Sequence, residues 1–247
     1  MHINKYVPEE IKGTELPELI YIDQPMVRYR VMNGLSAKWV KTRLGRYLRR
    51  VNKDWTDEQV KQAVAELRGS AVRYSVSMTE AGDADAVARI YEDGPDSCMS
   101  GGESAYMHNH IRVDGEFYAP VRVFAHPDNN LRLMYATVDD TVVARCWVNV
   151  ENKTRNRVYA ATDVYANSKR VLEEYLKEQG YSHDPEGCMD GEPLLRVETD
   201  CGAIVCPYVD PDNMGVSIEE DCLIIGADSY EANYETGCLY EFDLAVR

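Results

Sequence analysis

Residues 131–160 read Leu131-Arg-Leu-Met-Tyr135-Ala-Thr-Val-Asp-Asp140-Thr-Val-Val-Ala-Arg145-Cys-Trp-Val-Asn-Val150-Glu-Asn-Lys-Thr-Arg155-Asn-Arg-Val-Tyr-Ala160. Leu131, Leu133 and Tyr135 recur at every second position, the period at which side chains share one face of a strand. Asp139-Asp140 predicts a turn into a second strand over 141–150, and Asn152-Lys153 predicts another into 155–160. The stretch is a three-stranded antiparallel meander. On its middle strand Val142, Ala144, Cys146 and Val148 form the expected core face, which sets Arg145 and Trp147 on the other. A guanidinium beside an indole suits a binding hot spot. It also suits a position covered by a flanking helix, and burial is the favoured of the two.

Working outward, Ser168 caps an expected helix that buries Val171, Leu172, Tyr175 and Leu176 and stops at Gly180. Asp114-Gly115 lies between two alternating runs and predicts a hairpin. A strand is expected over 72–78 from the alternation of Val72, Tyr74, Val76 and Met78, with a short helix near 84–92 after it. Short strands are expected at 194–199, 203–209, 221–225 and 238–246. Near the start, Ala37, Val40, Leu44, Tyr47, Leu48 and Val51 recur at three- and four-residue spacing. They predict an amphipathic helix over 36–50 capped by Ser36. Thr56 and Gln59 make a capping box for a second helix that buries Val60, Ala63, Val64 and Leu67, with Gly69 as its stop. The fold class is therefore α+β: a helical N-terminal segment, then a mainly antiparallel sheet with one or two packed helices. The expected regions are a basic helical one over 1–70, a sheet-and-helix core over 71–183 and an acidic β-rich region over 184–247, as separate units or as one continuous domain.

Charge is distributed unevenly along the chain. The 247 residues carry a formal net charge of −15, yet Gln24 to Lys53 holds nine bases and no Asp or Glu. Residues 171–247 hold 19 acids against three bases. Such blocks are statements about surfaces and partners. Lys38, Lys41, Arg43, Arg46, Arg49 and Arg50 are the candidate binding residues. On the expected helix 37–50 they form a solvated face, which suits an acidic protein partner or the phosphates of a nucleic acid. The acidity of the whole chain and the absence of a recognition motif argue against the second. Seventeen Tyr against three Phe and three Trp fit half-buried sheets and interfaces. The acidic third can imitate a phosphate backbone, but strand residues interrupt its charges, so it reads as folded structure.

No apolar run approaches a membrane span, and Met1 to Gly13 has no stretch of signal-peptide type. Seven Cys without a C-x-x-C spacing predict reduced thiols in a cytoplasm, with neither disulfide framework nor zinc ribbon. His108 and His110 flank Asn109, so both imidazoles can face one side of a strand and grip a metal. The letters also spell the signature of a nuclease class whose hairpin-then-helix context differs from the β-hairpin expected here, and partly exposed strand histidines are the plainer reading. Cys98 lies near both histidines. A nucleophilic thiol needs a neighbouring base or a helix N-terminus, whereas Cys98 and Cys188 lie in turns beside acids. Cys98, His108, His110 and Arg145 are the candidate catalytic set for a transferase or a nuclease. No metal and no cofactor is expected.

Asp96-Ser-Cys98-Met99-Ser-Gly101 resembles Glu186-Gly-Cys188-Met189-Asp-Gly191, and each precedes a Pro-Asp-Asn, at 127–129 and 211–213. Two motifs in the same order suggest a decayed duplication or a coincidence of turn residues. The meander and helix over 131–180 resemble the centre of a GNAT-type acetyltransferase, a family that binds acyl-CoA on a Gly-rich loop. Here Ala160 to Asn167 holds neither Gly nor a base, so the likeness stops at topology. Ser97-Cys98-Met99, Val142-Val-Ala-Arg145-Cys-Trp147, Arg157-Val-Tyr159 and Pro207-Tyr-Val-Asp210 together resemble a group of uncharacterised tailed-bacteriophage proteins over roughly 87–225. The resemblance implies a bacterial host cytoplasm and brings no catalytic residue. The leading expectation is a non-enzymatic phage protein that binds a host or phage macromolecule, most readily a protein. The alternatives are the enzyme above and a nucleic-acid-associated factor using the basic segment.

Overall fold

Val27, Tyr29 and Val31 alternate with Arg28 and Arg30, and this alternation gives a strand with one apolar and one basic face. The computed structural model describes residues 3–12, 17–21, 25–33, 36–70, 72–97, 111–161, 167–206, 209, 215–226 and 238–239. The chain forms two compact units, Met1–Ser75 and Val76–Arg247.

In the first unit a 3₁₀ turn (Ile3–Tyr6) and α1 (Glu9–Lys12) precede β1 (Glu18–Tyr21), β2 (Pro25–Asn33) and β3 (Ser36–Arg43). These strands form an antiparallel sheet in the order β1-β2-β3, followed by α2 (Leu44–Val51) and α3 (Asp57–Ser70). Val27 and Tyr29 on the sheet and Leu44, Tyr47, Leu48, Val60, Ala63 and Leu67 on the helices make the core. Thr56 and Gln59 do form the capping box: the Thr56 N–H donates to Gln59 Oε1 at 2.8 Å and the Gln59 N–H to Thr56 Oγ1 at 3.3 Å. Gly69 lies inside the last turn of α3 rather than beyond it.

The expected helix over 36–50 is corrected here. Residues 36–43 are strand, paired with β2 from Asn33↔Ser36 to Met26↔Arg43, and only 44–51 is helical. The helical spacing of Ala37 and Val40 was a coincidence of composition. Eight cross-strand pairs with an alternating partner outweigh a weak local propensity. Ser36 therefore caps nothing, and the basic residues divide between a sheet and a helix.

The second unit's sheet begins with β4 (Ser75–Met78), after which come α4 (Ala84–Asp93), the hairpin β5–β6 (Arg112–Val113, Glu116–Phe117) and a 3₁₀ turn at Pro120–Phe124. Asp83 caps α4 by accepting from the Ala86 N–H at 2.9 Å. The meander follows as β7 (Leu131–Val138), β8 (Thr141–Asn149), β9 (Thr154–Arg155) and β10 (Tyr159–Ala160). β9 and β10 pair successive stretches of the same edge of β8. Then come α5 (Ser168–Glu178), β11 (Ser182–His183), α6 (Pro185–Met189), β12 (Pro193–Leu195), β13 (Ile204–Val205), β14 (Gly215–Ile218), β15 (Cys222–Gly226) and β16 (Cys238–Leu239). The main sheet runs β11-β9-β8-β7-β4, and smaller sheets pair β12-β15-β14 and β13-β16. The class is α+β. The turns form where expected: Asp114, Asp139, Asp140 and Lys153 all have φ between 47° and 65°. The alternation at 72–78 buries less than its pattern implies, since Val72 and Met78 are exposed and only Tyr74 is fully covered.

β8 is covered on both faces, every residue from Val142 to Asn149 being buried. The register to β7 steps from Ala136↔Ala144 to Thr137↔Val142, so Val143 is an extra residue in β8. This bulge reverses the alternation. Val142 therefore joins Arg145 and Trp147, and an added Cβ on Gly94 would meet both Arg145 and Val142. The expectation of Val142 on the opposite face is overturned for that reason. Trp147 is 4% exposed, stacks at 5.2 Å on Phe124 and donates from Nε1 to Tyr91 Oη at 2.9 Å. Truncating Trp147 to Ala should cost about 3–5 kcal/mol in urea unfolding, and its fluorescence should resist iodide. Trp147→Phe, which keeps most of the packing and loses the hydrogen bond, should cost clearly less.

Candidate functional site

The sheet β1-β2-β3 turns its apolar row, Val27, Tyr29 and partly buried Val31 and Val40, toward the core. Tyr29 pairs Val40, so the alternate pairs Arg28↔Lys41, Arg30↔Trp39 and Met26↔Arg43 lie on the outer face. Four cations share that face with one indole. Trp39 is 43% exposed, and the Arg28 guanidinium stacks over its ring at 4.4 Å, a diagonal cross-strand contact. Arg30 and Arg43 are exposed and Lys41 is half-buried.

The remaining bases of the segment separate by environment. Arg50 lies over the core rings of Tyr29 and Tyr47, at 4.4 and 5.3 Å, and so serves packing. Arg49 is paired with Asp57 at the start of α3. Arg46 is exposed on α2, and Lys38 is exposed opposite Val31 on the inward row of β3. The candidate binding set thus resolves into Lys41 and Arg43 on the sheet face, Lys38 and Arg46 beside it, and Arg49 and Arg50 in structural contacts. Reading the sequence for charge alone missed Arg28, Arg30 and Trp39 as members of one face. The signal that finds them is the two-residue alternation of Val27 to Val31.

Arg145 is 1% exposed in the second unit. It donates to the Pro95 carbonyl, from Nη2 to Ser97 Oγ at 2.8 Å, and stacks on Tyr91 at 4.1 Å. These groups lie at the C-terminal end of α4, where the helix dipole favours a cation. Arg145 is thus committed to joining β8 to α4. Cys98, His108 and His110 lie outside the described residues. The echo around Cys188 has become α6, capped by Asp184, which accepts from the Gly187 N–H at 3.1 Å, and its Cys188 is fully buried. The first copy, around Cys98, and Pro211 to Asn213 lie outside the described residues.

A cavity of about 260 Å³ is lined by Lys5, Tyr6, Trp55, Gln59, Gln62, Ala63 and Glu66. Its polar groups are engaged with one another: Lys5 Nζ donates to Glu66 Oε1 at 2.6 Å and Tyr6 Oη to Glu66 Oε2. Lys5 holds the Glu66 carboxyl below its usual range, with Tyr6 assisting. The cluster fastens the N-terminal turn to α3. Among the described residues no group of three or more His, Cys, Asp or Glu is arranged to hold a metal, and no helix is long and apolar enough to cross a membrane.

Burial pushes the Cys146 thiol upward and Cys188 up to about 12. Both are protonated at neutral pH and therefore poor nucleophiles. Native protein at pH 8 should leave Cys146 and Cys188 unlabelled by iodoacetamide, as read by peptide mass spectrometry, and unfolding should expose both. The unfolded Cys188 thiol ionises near its ordinary value of 9.0, while the folded one stays protonated to about 12. Stability from this group is therefore complete below about pH 9 and is lost as pH rises above it.

No protein-family model, no curated protein and no solved structure matches this chain.

Proposed function

We propose that this chain is a non-enzymatic binding protein whose outer N-terminal sheet face engages a polyanionic macromolecule. The observation that carries the reading is the row Arg28, Arg30, Lys41 and Arg43 around an exposed Trp39. Exposed surface charge is ordinarily mixed in sign. Here the segment holding β2 and β3 has nine bases and no acid. Met1 to Ser75 carries 14 Lys and Arg against nine Asp and Glu, a net of +5 in a chain of −15. Large apolar aromatics with neighbouring Arg are characteristic of contact surfaces. The likeness of 87–225 to tailed-phage proteins supports a phage origin and a bacterial host cytoplasm as the setting, with a host or phage macromolecule as the target.

An enzymatic reading has less support, because Arg145 is occupied in packing and Cys188 is held protonated. Retention on heparin tests the proposal. The wild-type chain should bind the resin at low salt despite its net negative charge and elute as salt rises. A variant with the exposed Arg30 and Arg43 changed to Gln should elute at clearly lower salt, with thermal stability within about 0.5 kcal/mol per site of wild type, as for exposed substitutions. Passage of the wild-type chain straight through at low salt would overturn the proposal.

A further inference from the structure

We infer that the polyanion bound by this face is single-stranded nucleic acid, with an unpaired base stacked on Trp39; the inference rests on the polyanion reading above. An acidic protein supplies carboxylates for the cations, but its planar groups are occasional, whereas a nucleic acid carries a base for every phosphate. A duplex keeps its bases stacked on one another and presents only their edges in its grooves, so an indole finds no open base face there. A single strand offers phosphates and open π-faces together, and every base has such a face.

The register supplies the matching arrangement. Outward side chains along a strand recur about every 6.8 Å. A backbone laid along β3 therefore passes Trp39, Lys41 and Arg43 in succession, with Arg30 and Arg28 across the pair from Trp39 and Lys41. Arg28, stacked on the indole, fixes the orientation of the ring. Stacking on Trp39 needs only the π-face that every base has, while the cations meet the phosphates of the backbone. Binding should therefore tolerate sequence and accept DNA and RNA alike.

The test measures fluorescence anisotropy of labelled oligothymidylate, oligouridylate and an abasic deoxyribose-phosphate oligomer of equal length with the full chain. Wild type should bind both base-containing oligomers more tightly than the abasic one. Trp39→Ala should weaken them by about 5- to 150-fold, the loss of one stacked base, and leave abasic binding unchanged. Trp39→Phe should restore most of the affinity. Arg30→Gln with Arg43→Gln should lower the slope of log affinity against log salt by about 1.4. Equal affinity of wild type for abasic and base-containing oligomers would overturn the stacking inference and leave a general polyanion site, a comparison that needs no variant to fold. Binding of heparin or polyglutamate with no oligomer bound would overturn nucleic acid as the ligand and leave the earlier proposal standing. Failure to bind any of them would remove both.

Discussion

The Arg145 guanidinium sits in the middle of the most buried strand, and among the described residues no carboxylate pairs with it. A cation taken out of water is expensive unless fixed dipoles replace the lost hydration. Here the Pro95 carbonyl, the Ser97 hydroxyl, the Tyr91 ring and the C-terminal end of α4 all present negative potential to it. The arrangement needs α4 to end where it does. Gly94 follows directly, and a side chain there would collide with the Ile90 carbonyl and Arg145 Nη1. Tyr91 then has its ring under the guanidinium and its hydroxyl against the Trp147 indole. One buried charge thereby fixes the position of a helix, the end of that helix and the packing of Trp147.

The same residue type does the opposite in the first unit. Arg28 also stacks on an aromatic ring, but on an outward face that it shares with half-buried Lys41 and exposed Arg30. A covered guanidinium is expended on the fold. The cations of the outer sheet face are used differently: on the proposed reading the sheet positions them before the ligand arrives. Trp39 already orders Arg28, so on the proposed reading that side chain loses less conformational entropy on binding than a flexible Lys or Arg would. This is the physical difference between Arg145 and the candidate binding residues, and sequence spacing alone does not reveal it.

Legibility in the sequence followed the range of the interactions involved. Asp114-Gly115 and Asp139-Asp140 were readable because a turn needs only its own residues to adopt positive φ. Thr56 and Gln59 were readable because a capping box closes within four residues. The strand Ser36–Arg43 was not, because its identity depends on β2, whose alternation lies upstream and had been read only for its charges. The face of Val142 was hidden for a similar reason: a bulge at Val143 exists only relative to β7. The basic segment stood out from composition, yet the face it forms with Trp39 appears only once the two strands are registered.

A net charge of −15 would oppose any polyanion if charge acted as a whole. At physiological salt the screening length is about 8 Å, so a surface is felt largely through its own neighbourhood. Along β2 and β3 the outer sheet face carries Arg28, Arg30, Lys41 and Arg43. The 33 acids of residues 76–247 set the sign of the net charge, while on the proposed reading the local row sets the affinity. Solubility alone would be served by mixed charges and would not leave an indole open to water. The indole is the part of this face that charge cannot explain, and a stacked base is the chemistry that would occupy it.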